Sequence, residues 1–205
     1  MIIDGKVINN PQNYYTFPLP GEHLVYMLFH NGIAFGNLFS DTIRLTYIEF
    51  LPKAKELSIG YMNYCFSGCT NLEYADLSNL NLTNNQCYEN LFRNNKKLKK
   101  VIFPNEYFGN NAIYFYEMFY GCQALASIDL LKARNIKAQY YYSMFYGCNK
   151  LKSINLGGFN TAYYGYQRDN MFFKVPKSAQ IVIHNKFYGS IYQELRGYNK
   201  ITLKY

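Results

Sequence analysis

Met118-Phe119-Tyr120-Gly121-Cys122-Gln123-Ala124-Leu125-Ala126-Ser127-Ile128-Asp129-Leu130 decides the fold, because the chain repeats it. Residues 144–156 restate it as Met144-Phe145-Tyr146-Gly147-Cys148-Asn149-Lys150-Leu151-Lys152-Ser153-Ile154-Asn155-Leu156. Working outward, the same Phe recurs as Phe39, Phe66, Phe92, Phe119, Phe145 and Phe172, in steps of 27, 26, 27, 26 and 27 residues. An apolar residue precedes each. A leucine follows six residues later in every copy but the last, where Ser178 stands. Ile48, Ala75, Val101, Ile128, Ile154 and Ile181 follow at nine residues, and Phe50, Leu77, Phe103, Leu130, Leu156 and Ile183 at eleven. A fixed period of this length specifies a solenoid, since one repeat cannot bury its apolar face alone and must stack on its neighbours.

Each unit reads as a strand, a loop, a short helical turn carrying the apolar-Phe pair, and a tight turn. The residues at nine and eleven alternate with period two and point inward. Strands are expected at 47–50, 74–77, 100–103, 127–130, 153–156 and 180–183, paired in parallel and in that order. Two residues after each Phe stand Asp41, Gly68, Asn94, Gly121, Gly147 and Lys174. Gly, Asn and Asp tolerate the left-handed backbone that ends a helical turn. Lys174 departs from that rule, which predicts a distorted sixth copy.

These motifs, together with Cys65-Phe66-Ser67-Gly68-Cys69-Thr70-Asn71-Leu72 and the loop Gly158-Phe159-Asn160-Thr161, resemble the BspA-like leucine-rich repeats over roughly residues 36–183. The third copy, Leu91-Phe92-Arg93-Asn94-Asn95, and the sixth, Met171-Phe172-Phe173-Lys174-Val175, depart from the pattern. The resemblance implies an α/β repeat: a leucine-rich-repeat solenoid with a parallel strand ladder, short helical turns and a cap at each end. It also implies surface proteins that bind host or neighbour molecules, with some relatives in viral or phage genomes. The expected organisation is an N-terminal β cap at 1–35, a six-repeat solenoid at 36–184 and a C-terminal cap at 185–205. Within the first, residues 15–29 read as two strands around a Pro/Gly turn. Within the last, 187–198 reads as a short helix and 201–205 as a final strand.

Composition narrows the function. The 205 residues are 49% hydrophobic and only 17% charged, which excludes a disordered chain. Net charge is +8, so anionic partners are permitted, yet no nucleic-acid-binding motif appears. Lys96, Lys97, Lys99 and Lys100 flank the inward Leu98 and read as solvated edges of one coil. No window of 18 apolar residues is present, so no membrane span is expected. The first residues do not form a signal peptide. The expected location is therefore the cell surface or medium if an export signal was removed, and otherwise a virion or the cytoplasm.

Five cysteines are present. Cys69, Cys122 and Cys148 share one repeat position, interrupted by Asn95, and read as buried free thiols. No pair has zinc spacing. His23, His30 and His184 lack a second ligand nearby in sequence, so no metal, cofactor or catalytic residue is expected, and the chain reads as a non-enzyme. Glu49, Asp76, Asp129 and Asn155 share one outward strand position, a column whose carboxylates would repel unless a cation or lysine relieved them.

The aromatic content is 23 Tyr and 16 Phe, with no Trp. An AT-rich genome would supply such codons; so would selection for a tyrosine-rich face. Tyr114-Phe115-Tyr116, Tyr140-Tyr141-Tyr142 and Tyr163-Tyr164-Gly165-Tyr166 precede three of the Phe pairs. Three consecutive aromatics cannot all point inward. Tyr114, Tyr116, Tyr140, Tyr142, Tyr163, Tyr164 and Tyr166 are accordingly the candidate partner-binding residues, for a protein or glycan ligand or for fellow subunits of a larger assembly. A stacked ladder that merely stiffens the coil edge is the competing reading. Two functions follow: recognition or adhesion at a cell or particle surface, or a structural component of a virus or phage particle.

Overall fold

The computed structural model describes residues 2–3, 6–7, 25–26, 33–50, 52–56, 58–106, 108–134, 138–160 and 169–205. Two compact units divide between Asn31 and Gly32. In the first, β1 (Ile2–Ile3) pairs antiparallel with both β2 (Lys6–Val7) and β3 (Val25–Tyr26). Apart from Val25–Tyr26, the segment 15–29 lies outside the described residues.

The second unit is the solenoid. Its coils are numbered 1 to 6 by Phe39, Phe66, Phe92, Phe119, Phe145 and Phe172. Coil 1 is preceded by β4 (Ile33–Ala34) and contains β5 (Tyr47–Glu49). A 3-10 turn at Pro52–Glu56 leads to β6 (Ile59–Tyr61), which pairs in parallel with β4. The main ladder continues through β7 (Tyr74–Asp76), β8 (Lys100–Ile102), β9 (Ser127–Asp129), β10 (Ser153–Leu156) and β11 (Gln180–His184). Helix α1 (Asn185–Ile191) follows, capped by His184, whose Nδ1 accepts from the Lys186 N–H at 3.2 Å. Strand β12 (Ile201–Lys204) then adds one more rung.

All ladder pairings are parallel and keep the register that the repeat dictates. Tyr47 faces Tyr74, Tyr74 faces Lys100, Ser127 faces Ser153, and Ser153 faces Gln180. β11 pairs in turn with β12. One expected pairing is missing: β8 and β9 are neighbours, but no ladder bond joins them, so the sheet divides into β5-β7-β8 and β9-β10-β11-β12. The same two coils are joined firmly on the opposite side, where Tyr88, Asn90, Phe92 and Asn94 donate N–H bonds to the carbonyls of Tyr114, Tyr116, Met118 and Tyr120.

That opposite side differs from a helix. The turn expected at each apolar-Phe pair is a run of tight turns with alternating duties. In coil 2, the N–H groups of Cys65, Ser67 and Cys69 bond three residues back, to Met62, Tyr64 and Phe66. Those of Tyr64, Phe66 and Gly68 instead reach the next coil, to Glu89, Leu91 and Arg93. The geometry needs a left-handed residue at both ends. Two residues after the Phe, φ is 56° at Asp41, 73° at Gly68, 61° at Asn94 and 62° at Lys174. Coil 6 keeps the conformation despite its lysine, and the carbonyl just before it, on Phe173, accepts the Gly147 N–H of coil 5 at 2.8 Å. Two residues before the Phe, φ is also positive, at Asn37, Tyr64, Asn90, Glu117, Ser143 and Asn170. Glycine is required where the previous coil fills the space: a Cβ on Gly68 would lie 2.0 Å from Asp41 Oδ1.

The core is columnar. The six Phe rings stack at 5.4, 5.2, 5.7, 5.7 and 5.7 Å between successive coils, and Phe66 to Phe145 are fully buried. Leu72, Leu98, Leu125 and Leu151 form a second buried column. The cysteines form a third. All five are free and buried, as the spacing indicated. The thiols of Cys69, Cys122 and Cys148 donate to the carbonyls of Phe39, Phe92 and Phe119 on the preceding coil, at 2.9, 3.1 and 3.0 Å. Asn95 interrupts this column. It is fully buried, and neither amide atom has a hydrogen-bond partner among the described residues. A buried unsatisfied amide costs on the order of 1–3 kcal/mol, whereas a thiol there would match its column. Asn95→Cys is therefore expected to stabilise the protein by about 1–2 kcal/mol in urea unfolding; a destabilised variant would show that the amide is satisfied.

Candidate functional site: tyrosine ladders on the coil edge

The alternation around each triple aromatic is that of extended backbone, which Tyr114 and Tyr140 adopt in a parallel bridge. Phe115 and Tyr141 turn inward and are fully buried, with Tyr88 in the same column. Their neighbours turn outward. Tyr114 stacks on Tyr140 at 5.2 Å, and Tyr116 on Tyr142 at 4.8 Å, with ring planes 14° and 5° apart. Tyr114 also meets Tyr116 edge-on at 6.3 Å. Tyr114 is 39% exposed and the other three are half-buried. Four candidates from sequence thus come together in one patch; Tyr163, Tyr164 and Tyr166 lie outside the described residues.

The patch extends further than the candidate set. Tyr120 stacks on Tyr146 at 4.7 Å, and Tyr146 on Phe173 at 4.8 Å. The Arg93 guanidinium closes one end, 4.7 Å above the Tyr120 ring, and pairs with Glu117. Lys174 lies over Phe173 at the other end. These residues follow the Phe directly in coils 3 to 6, so the repeat register could have revealed them had position one been read as a column.

Glu89 organises the near edge. Its carboxylate faces the phenols of Tyr64 and Tyr116. Glu89, with some burial, pushes Tyr64 up to about 12. Burial, then Glu89, raises Tyr116 further, and burial raises Tyr142. These phenols remain protonated donors at any physiological pH. Beyond Tyr142 the strip runs into an open depression of about 260 Å³ lined by Tyr142, Ser143, Asp169 and Asn170.

Stacking governs what the strip offers. Each ring of the two-membered ladders turns one face to its partner, and the Tyr120–Tyr146–Phe173 row is covered at both ends by Arg93 and Lys174, so a partner meets mainly hydroxyls and ring edges. Stacking against a sugar needs an open face, and half of the faces in the paired ladders and all of those in the three-ring row are taken. Hydroxyl donors and electropositive ring edges suit carbonyl and carboxylate acceptors.

On the strand face, Tyr47 stacks on Tyr74 at 5.0 Å, and Lys100 Nζ lies 5.8 Å from the Tyr74 ring centre. The Glu49 carboxylate accepts the Tyr47 hydroxyl at 2.6 Å, the main cause of that phenol's rise to about 12. The outward acidic column is a turn device. Asp76, Asp129 and Asn155 each accept, through Oδ1, the N–H two residues on, from Ser78, Leu131 and Gly157 at 2.8, 2.8 and 3.1 Å. Such bonds shape the bend after a strand, which accounts for Asp or Asn here. Among the described residues, no three His, Cys, Asp or Glu side chains are grouped to hold a metal ion, and no helix is long and apolar enough to cross a membrane.

A parallel repeat solenoid edged with stacked aromatics is the class that this geometry defines. The chain belongs to the family described as Mycoplasma protein of unknown function, DUF285, which matches residues 60–185. That span runs from coil 2 to the end of β11 and is consistent with the BspA-like resemblance. No curated protein and no solved structure matches the chain.

Proposed function

We propose that this protein is a non-enzymatic recognition module at a cell or particle surface, and that its tyrosine edge contacts a protein partner. The supporting observation is the paired ladder Tyr114–Tyr140 and Tyr116–Tyr142, which sets phenol hydroxyls in rows on a rigid edge. Tyrosine supplies large contact area at small entropy cost and is enriched among residues that dominate binding energy. The covered ring faces favour a protein over a glycan. An assembly role, with a fellow subunit as the protein, is the second reading; it draws support from the coil spacing, which another solenoid would share.

Tyr114→Ala/Tyr140→Ala tests this. The rings are partly exposed, so the variant is expected to fold, with circular dichroism unchanged. Against a panel of purified surface proteins and neutral glycans, the native chain is expected to bind in the protein arm. The variant is expected to lose about 1 kcal/mol or more of that binding. Undiminished binding would mean that the ladders only stiffen the edge. Sedimentation of the native chain alone checks the assembly reading, which requires a concentration-dependent oligomer.

A further inference from the structure

The net charge of the chain is gathered on one corner of the solenoid, between the Phe turn and the strand. The corner comprises residues 41–47, 68–74, 94–100, 121–127, 147–153 and 174–180 of the six coils. These stretches carry nine Lys or Arg and two carboxylates, in a chain whose net charge is +8. All nine cations are exposed. Of the two carboxylates, Glu73 is taken by Lys99 at 2.6 Å, and Asp41 lies at the far end of the corner, in coil 1.

The cations are also spaced. The residues just before the inward leucines are Arg44, Asn71, Lys97, Ala124 and Lys150, so the charge falls on coils 1, 3 and 5 and skips coils 2 and 4. Two residues later, Lys99 and Lys152 repeat the rhythm, with Ala126 between them. The strand registers that follow align these positions within coils 1 to 3 and within coils 4 and 5, and the turn-side bonds such as Asn94 N–H to the Tyr120 carbonyl carry the alignment from coil 3 to coil 4. Two coils span about 10 Å at one strand spacing each, close to the length of one disaccharide in an extended polysaccharide.

We infer that this corner binds a linear acidic polysaccharide laid along the solenoid axis. One anionic group per disaccharide meets the cations of coils 1, 3 and 5. A single-stranded nucleic acid fits less well: it needs open aromatic faces for its bases, whereas Tyr47 and Tyr74 within the corner stack on each other, with Lys100 over Tyr74, and Tyr120, Tyr146 and Phe173 beside it cover one another. Its phosphates also recur too closely for cations on alternate coils. The surface is separate from the outward tyrosines Tyr114 and Tyr140, so the inference stands apart from the function proposed for them.

The test uses hyaluronan oligosaccharides of graded length, which carry one carboxylate per disaccharide, with fluorescence anisotropy at low ionic strength, where screening is weak. Affinity is expected to climb up to three disaccharides, the reach of coils 1 to 5, and then level off. Lys97→Glu/Lys150→Glu is expected to weaken binding roughly tenfold or more, about 1.4 kcal/mol. Lys97→Arg/Lys150→Arg should retain it, as should Tyr114→Ala/Tyr140→Ala. Lys186→Glu/Lys204→Glu, with the same change in net charge away from the corner, should lose far less. Equal loss in the two charge-reversed variants would overturn the inference, as would no binding. So would single-stranded or duplex DNA oligonucleotides binding as tightly as the polysaccharide, which would make the corner a nucleic-acid surface. Thermal unfolding of each variant confirms that folded proteins are compared.

Discussion

Phe119→Ala is expected to cost about 3–5 kcal/mol, the range for truncating a large buried aromatic. The ring is fully buried in the middle of the column, stacked at 5.7 Å on both Phe92 and Phe145, and its edge meets Phe103 at 6.5 Å. A typical domain has only about 5–15 kcal/mol in total, so this one change removes a large share. In a solenoid each coil contacts only its neighbours. The lost ring therefore weakens the interfaces of coil 4 with coils 3 and 5, and unfolding should become less cooperative as well as easier. Urea titration followed by circular dichroism reads both effects. Phe39→Ala, at the half-buried start of the same column, should cost clearly less. A loss below about 1 kcal/mol at Phe119 would contradict the columnar core.

Alkaline instability is the second large effect. Burial pushes the Cys148 thiol up to about 12 and those of Cys69 and Cys87 to about 11, and raises Cys65 and Cys122 as well. Burial also raises Tyr88, and lifts Tyr198 to about 12. In every case the folded protein holds its proton more tightly than the unfolded chain. The associated stability is complete below the unfolded value, near 9 for a thiol, and is lost as pH climbs through the folded values. Cys148 alone accounts for roughly 4 kcal/mol of loss by pH 12, at 1.36 kcal/mol per pKa unit. The urea midpoint should stay level across neutral pH, begin to fall above about pH 9, and collapse toward pH 11–12. A level profile to pH 11 would mean that the thiols are solvated. The same burial predicts that thiol reagents react only after unfolding.

Much of the solenoid was legible because its signals are periodic and apolar. The Phe, Leu and Cys columns were readable from spacing alone, as was the strand register. The edge conformation was not. Positive φ two residues before the Phe is held by Tyr64, Glu117 and Ser143, residues that announce nothing of the kind. Backbone strain there is offset by bonds to the next coil, which no local pattern encodes. A helical turn was the natural reading of the apolar-Phe pair, since tight turns and a helix bury the same two side chains. For the candidate site, the sorting of inward Phe115 and Tyr141 from outward Tyr114 and Tyr140 followed from simple geometry. The Tyr120–Tyr146–Phe173 row is hidden in the sequence because Tyr120 and Tyr146 belong to the repeat motif and Phe173 to a copy that departs from it. Arg93 had been counted as a departure from that motif, yet it closes that row and pairs with Glu117.

The missing ladder bonds between β8 and β9 give the solenoid a mechanical character. Coils 3 and 4 are riveted on the turn side by a row of backbone bonds running from Gln86 to Asn94, the Arg93–Glu117 pair and the Cys122 thiol. On the strand side, among the described residues, no ladder bond joins them. A beam fastened along one flange and slotted along the other bends at the slot. Any flexure there would open or close the strand side while the aromatic edge kept its length. Lys97 and Lys150 sit on opposite banks of that slot, so their separation is the dimension that such bending changes most. The cationic corner is in this sense a gauge with one adjustable gap, set beside an edge whose rings are held at constant pitch.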